Sequence, residues 1–197
     1  VISIDFYFDF ISPFSYLAHV KLPDLAKRYG AKINYHPMDI PTAKIAAGNY
    51  GPSNRDVPAK INIMLPDIHR WAKRYGVPME FPKSFEGKKW NTGVLFAEQN
   101  NRTEAFVTEA YNRLWGKGAD PSDDSELRAV AIAAELDADG LMAFVDSSEG
   151  QTQFRKSCVE AHKQGVFGAP IMVVGDQYFW GNDRLDFLEE HLQSLAN

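Results

Sequence analysis

The stretch Ile4-Asp5-Phe6-Tyr7-Phe8-Asp9-Phe10-Ile11-Ser12-Pro13-Phe14-Ser15-Tyr16-Leu17 decides the fold. Residues 2–8 alternate, with Ile2, Ile4, Phe6 and Phe8 on one side and Ser3, Asp5 and Tyr7 on the other. That period of two predicts a strand. Ser12 then precedes Pro13, a favoured N-cap before a residue favoured at the first helical position. Helical spacing in Phe14, Leu17, Ala18 and Leu25 predicts a helix as far as Tyr29, closed by Gly30 and kinked at Pro23. A strand-to-helix turn of this kind leaves free N–H groups and a positive dipole end, which stabilise anions, thiolates included. Ser12 either only caps the helix or also serves that site.

Working outward, residues 31–38 alternate again, so the first forty residues read as βαβ with a right-handed crossover between parallel strands. The pattern then turns helical. A short helix is expected at 42–47, a breaker-rich loop at 48–58, and a helix through Ile61, Ile68, Trp71 and Tyr75, bent at Pro66 and stopped by Gly76. Residues 81–89 look irregular. Helices follow at 90–98, 104–115, 124–136, 140–147 and 150–164, with Asp123 and Glu126 as a capping pair. Strand character returns in Ile171–Val174 and in Tyr178-Phe179-Trp180, a hairpin turned at 175–177. A last amphipathic helix carries Leu185, Leu188, Leu192 and Leu195. Setting aside residues 41–165 as an inserted helical domain leaves βαβ–ββα from 1–40 and 166–197. That is a thioredoxin-like α/β fold with a mixed four-stranded sheet.

Composition narrows the function. The 197 residues are 45% hydrophobic and 24% charged, with net charge −5. That suits a chain with a full-sized core and gives no basic footprint for nucleic acid. No apolar run is long enough to span a membrane. The chain opens on a strand pattern with no secretory leader visible. Its single cysteine, Cys158, excludes an internal disulfide, a Cys-x-x-Cys pair and a cysteine-based zinc site. A reducing, cytoplasmic setting is expected. Cys158 lies on a helix and is expected to be buried and inert. The five histidines have no ligand spacing, so no metal is expected. Asp137-Ala138-Asp139-Gly140 imitates a calcium loop with its glycine misplaced. Trp71, Trp90 and Trp115 are open to use as core, subunit interface or pocket wall.

Two further stretches bear on chemistry. Gly168-Ala169-Pro170 precedes the third strand, where a thioredoxin-type sheet places a cis proline facing the first helix N-terminus. Gly181-Asn182-Asp183-Arg184 is either a turn with a cap or a holder for a zwitterionic peptide end.

Four motifs stand in order along the chain: Phe8-Asp9-Phe10-Ile11-Ser12-Pro13-Phe14-Ser15-Tyr16, Gly51-Pro52-Ser53-Asn54-Arg55, Val166-Phe167-Gly168-Ala169-Pro170 and Trp180-Gly181-Asn182-Asp183-Arg184. Together they resemble the 2-hydroxychromene-2-carboxylate isomerases. These belong to the DsbA-like, kappa-class glutathione transferase group, and the resemblance spans essentially the whole chain. It implies a glutathione-dependent isomerase interconverting 2-hydroxychromene-2-carboxylate and trans-o-hydroxybenzylidenepyruvate in naphthalene-type aromatic catabolism, and a homodimer. It places Ser12 at the glutathione sulfur. Ala169 and Pro170 fall at the cysteinyl unit, and Trp180, Gly181, Asn182 and Asp183 at the γ-glutamyl end. Lys44, Asn54, Arg55 and Phe85 would meet the aromatic acid, Phe85 as a wall without the hydroxyl of a tyrosine. The implied chemistry is reversible thiolate addition to a conjugated carbon, bond rotation and elimination. Ser12 then acts as a hydrogen-bond donor and not as a nucleophile. The alternative is a kappa-type transferase that conjugates electrophiles and releases the adduct.

Overall fold

The computed structural model describes residues 1–196. Strand β1 (Ser3–Phe8) leads through a short turn into α1 (Pro13–Arg28), and β2 (Lys32–Pro37) follows. Ser12 is the α1 N-cap, its side chain accepting from Ser15 N, and Gly30 takes the positive φ (61°) that lets the chain leave the helix. Helices α2 (Ile40–Ala46), α3 (Pro58–Tyr75), α4 (Lys88–Gln99), α5 (Thr103–Lys117), α6 (Asp124–Ala133), α7 (Ala138–Asp146) and α8 (Ser148–Lys163) come next. A 3-10 turn, Asn54–Asp56, separates α2 from α3. The chain ends with β3 (Ile171–Val174), β4 (Gln177–Trp180), a 3-10 turn at Asn182–Arg184, and α9 (Leu185–Ala196).

The sheet order is β2-β1-β3-β4. β1 and β2 are parallel, whereas β1–β3 and β3–β4 are antiparallel. This is the thioredoxin-like arrangement expected of βαβ–ββα, with helices inserted between β2 and β3. The Ala169–Pro170 peptide bond is cis, as the fold context predicts.

One apolar cluster joins the sheet to the insert. Phe6, Phe8 and Phe10 pack with Trp90, Phe106, Tyr111 and Trp115, all essentially buried. Phe6 and Phe8 stack at 5.1 Å, and Phe10 meets its neighbours edge-on or tilted, 4.8 Å from Tyr111 and 6.3 Å from Trp90 between centroids. Trp90 and Trp115 are therefore core, each indole satisfied by a backbone carbonyl (Pro121 O at 2.9 Å, Phe10 O at 2.7 Å). A smaller cluster on the other sheet face gathers Tyr7, Met38, Ala161, Ile171 and Val173.

Several boundaries move. α2 begins at Ile40 because Asp39 caps it, and α8 begins at Ser148 because Ser147 caps it. α6 stops at Ala133, short of 136, and Glu135 takes a positive φ. The Asp123–Glu126 capping box does not close. Asp123 caps through Ser125 N (2.9 Å), while the Glu126 carboxylate is drawn away to Arg113 Nη1 (2.9 Å). Gln177 joins β4, paired with Val174. α1 and α3 both run on past Pro23 and Pro66.

Candidate functional site

Strand polarity gathers the candidate residues at one end of the sheet. β1 and β2 run parallel, so the turn to Ser12 and the start of α2 leave from the same end. β3 enters and β4 leaves there too, with Ile171 opposite both Tyr7 and Trp180. The next residue back from Ile171 is the cis Pro170, whose carbonyl accepts from Gly181 N at 3.0 Å. Ser12, the Ala169–Pro170 bond and 180–183 thus converge through topology alone.

Ser12 is 5% exposed. Its hydroxyl oxygen accepts from Ser15 N at 3.1 Å, and its own proton is committed to no acceptor among the described residues. The cap and a donor role are compatible, because a hydroxyl accepts and donates at once. Ala169 makes no backbone hydrogen bond among the described residues, so its N–H and C=O are open to an incoming extended peptide. Trp180 is 60% exposed and lies edge-on to Phe167, with centroids 4.9 Å apart. Asn182 is buried, and the exposed Asp183 carboxylate accepts from Arg184 Nη1 at 2.6 Å.

Arg55 and Phe85 come together. The guanidinium stacks over the ring at 4.6 Å, and both line a cavity of about 640 Å³ with Asp9, Ile11, Gly87 and Asn91. The other cations facing this space differ in kind. Lys89 is held by Asp124 (2.9 Å) and Asp146 (3.1 Å), whereas Lys88 and Arg55 have no carboxylate partner among the described residues. Of these two, only Arg55 has the planar guanidinium that takes an organic carboxylate in a bidentate fork. Asn54 accepts from Lys60 Nζ at 2.8 Å. Lys44 is not brought to this cavity. Its ammonium donates to Gly51 O, and it lines a second cavity of about 470 Å³ with Asn49, His162 and Phe167. A larger space of about 760 Å³ opens between α1, α3 and α9, lined by none of the candidate residues, with Arg28 and Glu189 paired across it at 2.6 Å.

Two buried groups were not singled out by sequence reasoning. Asp9 is pushed up to about 6 by burial, against the pull of Asn91 and the N–H groups of Ile40 and Ile11. Asn91 sits in the apolar phase of α4 beside Trp90, and its amide donates to Asp9 Oδ1 at 2.7 Å. A polar residue in that phase, and an aspartate between two phenylalanines at a strand end, were the available signals. Cys158 is buried, and that burial pushes its thiol up to about 11. No group of three metal-ligating side chains occurs among the described residues, and no helix there is long and apolar enough to cross a membrane.

The family model of the DSBA-like thioredoxin domain matches residues 3–193. The chain belongs to that family. It is 60% identical over 190 residues to the 2-hydroxychromene-2-carboxylate isomerase of Sphingobium xenophagum, covering 96% of this chain and 97% of the relative. A solved 2-hydroxychromene-2-carboxylate isomerase superposes with a TM-score of 0.94 at 38% identity, covering 98% and 96% of the two chains. The kappa 1 glutathione S-transferase of Caenorhabditis elegans is 28% identical over 209 residues, covering 96% of this chain and 90% of that protein. At 98% coverage and that TM-score, the likeness to the solved isomerase takes in the helical insert as well as the sheet.

Proposed function

We propose that the protein is a glutathione-dependent isomerase that interconverts 2-hydroxychromene-2-carboxylate and trans-o-hydroxybenzylidenepyruvate. Its setting would be the cytoplasmic breakdown of naphthalene-type aromatics, with the protein acting as a homodimer. The observation that carries the reading is Ser12. It is a buried N-cap hydroxyl with a spare proton, at the sheet end that also holds the cis Pro170 and the unpaired backbone of Ala169. The 60% identity to a curated isomerase supports the reaction class.

The residues present fit glutathione. Ala169 offers a strand edge to the cysteinyl unit, Asp183 a carboxylate to the γ-glutamyl amine, and Ser12 with the α1 N-terminus a pole for an anion. Bound there, glutathione would supply a thiolate able to add to a conjugated carbon of the substrate and leave again with no net redox change. Ser12 donates a hydrogen bond that favours that anion. One such contact plus the dipole suits a downward shift of a unit or more, about 1.4 kcal/mol per unit. Arg55 binds and orients the substrate carboxylate, and Phe85 covers its aromatic ring. Lys44 is too engaged with Gly51 to join Arg55 in this arrangement, so its part in substrate binding requires a rotamer change.

The test is turnover of 2-hydroxychromene-2-carboxylate with and without glutathione, in the parent and in Ser12→Ala. The reading requires turnover that depends on glutathione without consuming it, and a loss of tenfold or more in the variant with the fold retained. Stoichiometric consumption would assign the chain to conjugating transferases instead. Full activity in Ser12→Ala would remove Ser12 from the mechanism.

A further inference from the structure

Asp9 is 1% exposed, yet it borders the Arg55–Phe85 cavity. Its oxygens gather donors from three segments: Ile11 N (3.2 Å) in its own turn, Ile40 N (2.9 Å) at the start of α2, and Asn91 Nδ2 (2.7 Å) in α4. Asn91 completes the clamp. Its Oδ1 accepts from Phe10 N at 3.2 Å, and its Nδ2 also reaches Met38 O at 3.2 Å. From α5, the Trp115 indole donates to Phe10 O (2.7 Å) and the Tyr111 hydroxyl to Asp9 O (3.4 Å). Ser12 N donates to that same Asp9 carbonyl at 3.0 Å. Gly87 closes the remaining side, since a Cβ there would stand 2.8 Å from Ile11 Cγ2 and 3.3 Å from Asp9 Oδ1. Residues 9–11 are thus fixed by the helical insert and by Asp9 itself, and Ser12 hangs from them.

A carboxylate is an expensive way to build such a clamp. Desolvation of Asp9 outweighs its three donors, and the Asp39 carboxylate adds repulsion from the β2–α2 turn. Tyr111 from α5 and Cys158 from α8 also face it, both held neutral by burial. A role confined to holding the fold would be met at lower cost by neutral partners.

We propose that the Asp9–Asn91 pair is a positioning device: it fixes where the Ser12 hydroxyl sits relative to the Arg55–Phe85 cavity by locking the β1–α1 turn to α2 and α4. Neither residue needs to touch substrate. The inference rests on the role given to Ser12 above.

Charge and position make opposite demands. An ionised Asp9 near Ser12 disfavours an anion there, so a pure charge effect lowers the bound thiol's pKa when Asp9 becomes neutral. Loss of position raises it, because the Ser12 donor moves away.

The experiment uses the full chain with glutathione as probe. The thiol pKa of bound glutathione is read from thiolate absorbance, and kcat and KM are measured beside it. The variants are Asp9→Asn, Asn91→Ala, their double variant, and the exchange Asp9→Asn/Asn91→Asp. We expect each single variant to raise the bound thiol pKa by about one unit and lower kcat by about tenfold to a hundredfold, the size of effect a small misplacement produces. KM for the aromatic acid and glutathione affinity should stay within about twofold. The double variant should lose no more than the worse single, since both break one clamp. The exchange should recover no more than about threefold, because it restores the bridge from residue 9 to Phe10 N but sets a carboxylate against Met38 O and leaves Ile11 N without an acceptor. Additive losses, an unchanged or lowered thiol pKa, or variants that all fail to fold would each overturn the positioning role. A parent that binds no glutathione sinks this inference together with the function above. A parent that binds it while Asp9→Asn leaves the thiol untouched sinks this inference alone.

Discussion

Two buried groups set opposing pH dependences on stability, and separating them tests the burial argument. Asp9 is shifted from 3.8 to about 6, first by desolvation. His19 is shifted from 6.5 to about 3, by desolvation alone; Thr108 Oγ1 lies 2.8 Å from its Nε2, and its Nδ1 has no partner among the described residues. For Asp9 the folded pKa is raised, so its contribution is fully present below about pH 4 and lost as pH rises through about 6. For His19 the folded pKa is depressed, so its contribution is present above about 6.5 and lost as pH falls toward about 3. Between about pH 4 and 6 the folded protein holds one extra proton on Asp9 and lacks one on His19, relative to the unfolded chain. The two slopes cancel there. At about 1.4 kcal/mol per unit, each group alone would change stability by roughly 2 to 3 kcal/mol across that window. Asp9→Asn removes one slope, so stability relative to the parent should rise with pH from about 4 to 6. His19→Phe, which keeps the ring among Phe6, Tyr35 and Tyr111 and leaves the exposed Thr108 to water, should make it fall over the same range. Urea denaturation at half-unit pH steps measures both, and subtracting the parent curve removes every other titrating group. A difference curve for Asp9→Asn that stays flat within about 0.5 kcal/mol would refute the claim that Asp9 is buried as an acid.

Other outcomes follow from single contacts. Arg55→Lys should raise KM for the aromatic acid by about tenfold with a smaller change in kcat, since a lysine keeps the charge and loses both the fork and the stacking over Phe85, as steady-state kinetics would show. Gly150→Ala should destabilise by about 3 kcal/mol or more, because a Cβ would collide with Phe144 O, a backbone atom; a thermal midpoint within a degree of the parent would contradict that packing. Cys158 should resist alkylation in the native protein at neutral pH and react on unfolding, its thiol being buried and shifted to about 11; stoichiometric labelling of the folded chain would show otherwise.

The sequence showed what is local or periodic. The alternation of Ile4, Phe6 and Phe8 and the Ser12–Pro13 cap mark β1 and α1, and the order of strands then implies the sheet and the cis Pro170. What it hid is tertiary. Asp5 and Asp9 share one phase of the same stretch and look alike as letters. Asp5 is half-buried and meets His36 and Asn34 at the surface. Asp9 is sealed by Asn91, which lies 82 residues away and points inward because Trp90 and Val94 turn that face of α4 to the core. Lys44 and Arg55 carry the same charge only eleven positions apart. The intervening turn sends them to different cavities, so motif order alone could not say which of them shares a space with Phe85. The helical insert is therefore more than a cover over a thioredoxin-like sheet. Through Asn91, Tyr111 and Trp115 it supplies the hydrogen bonds that hold the turn before Ser12, so a change in α4 or α5 reaches Ser12 directly through the backbone.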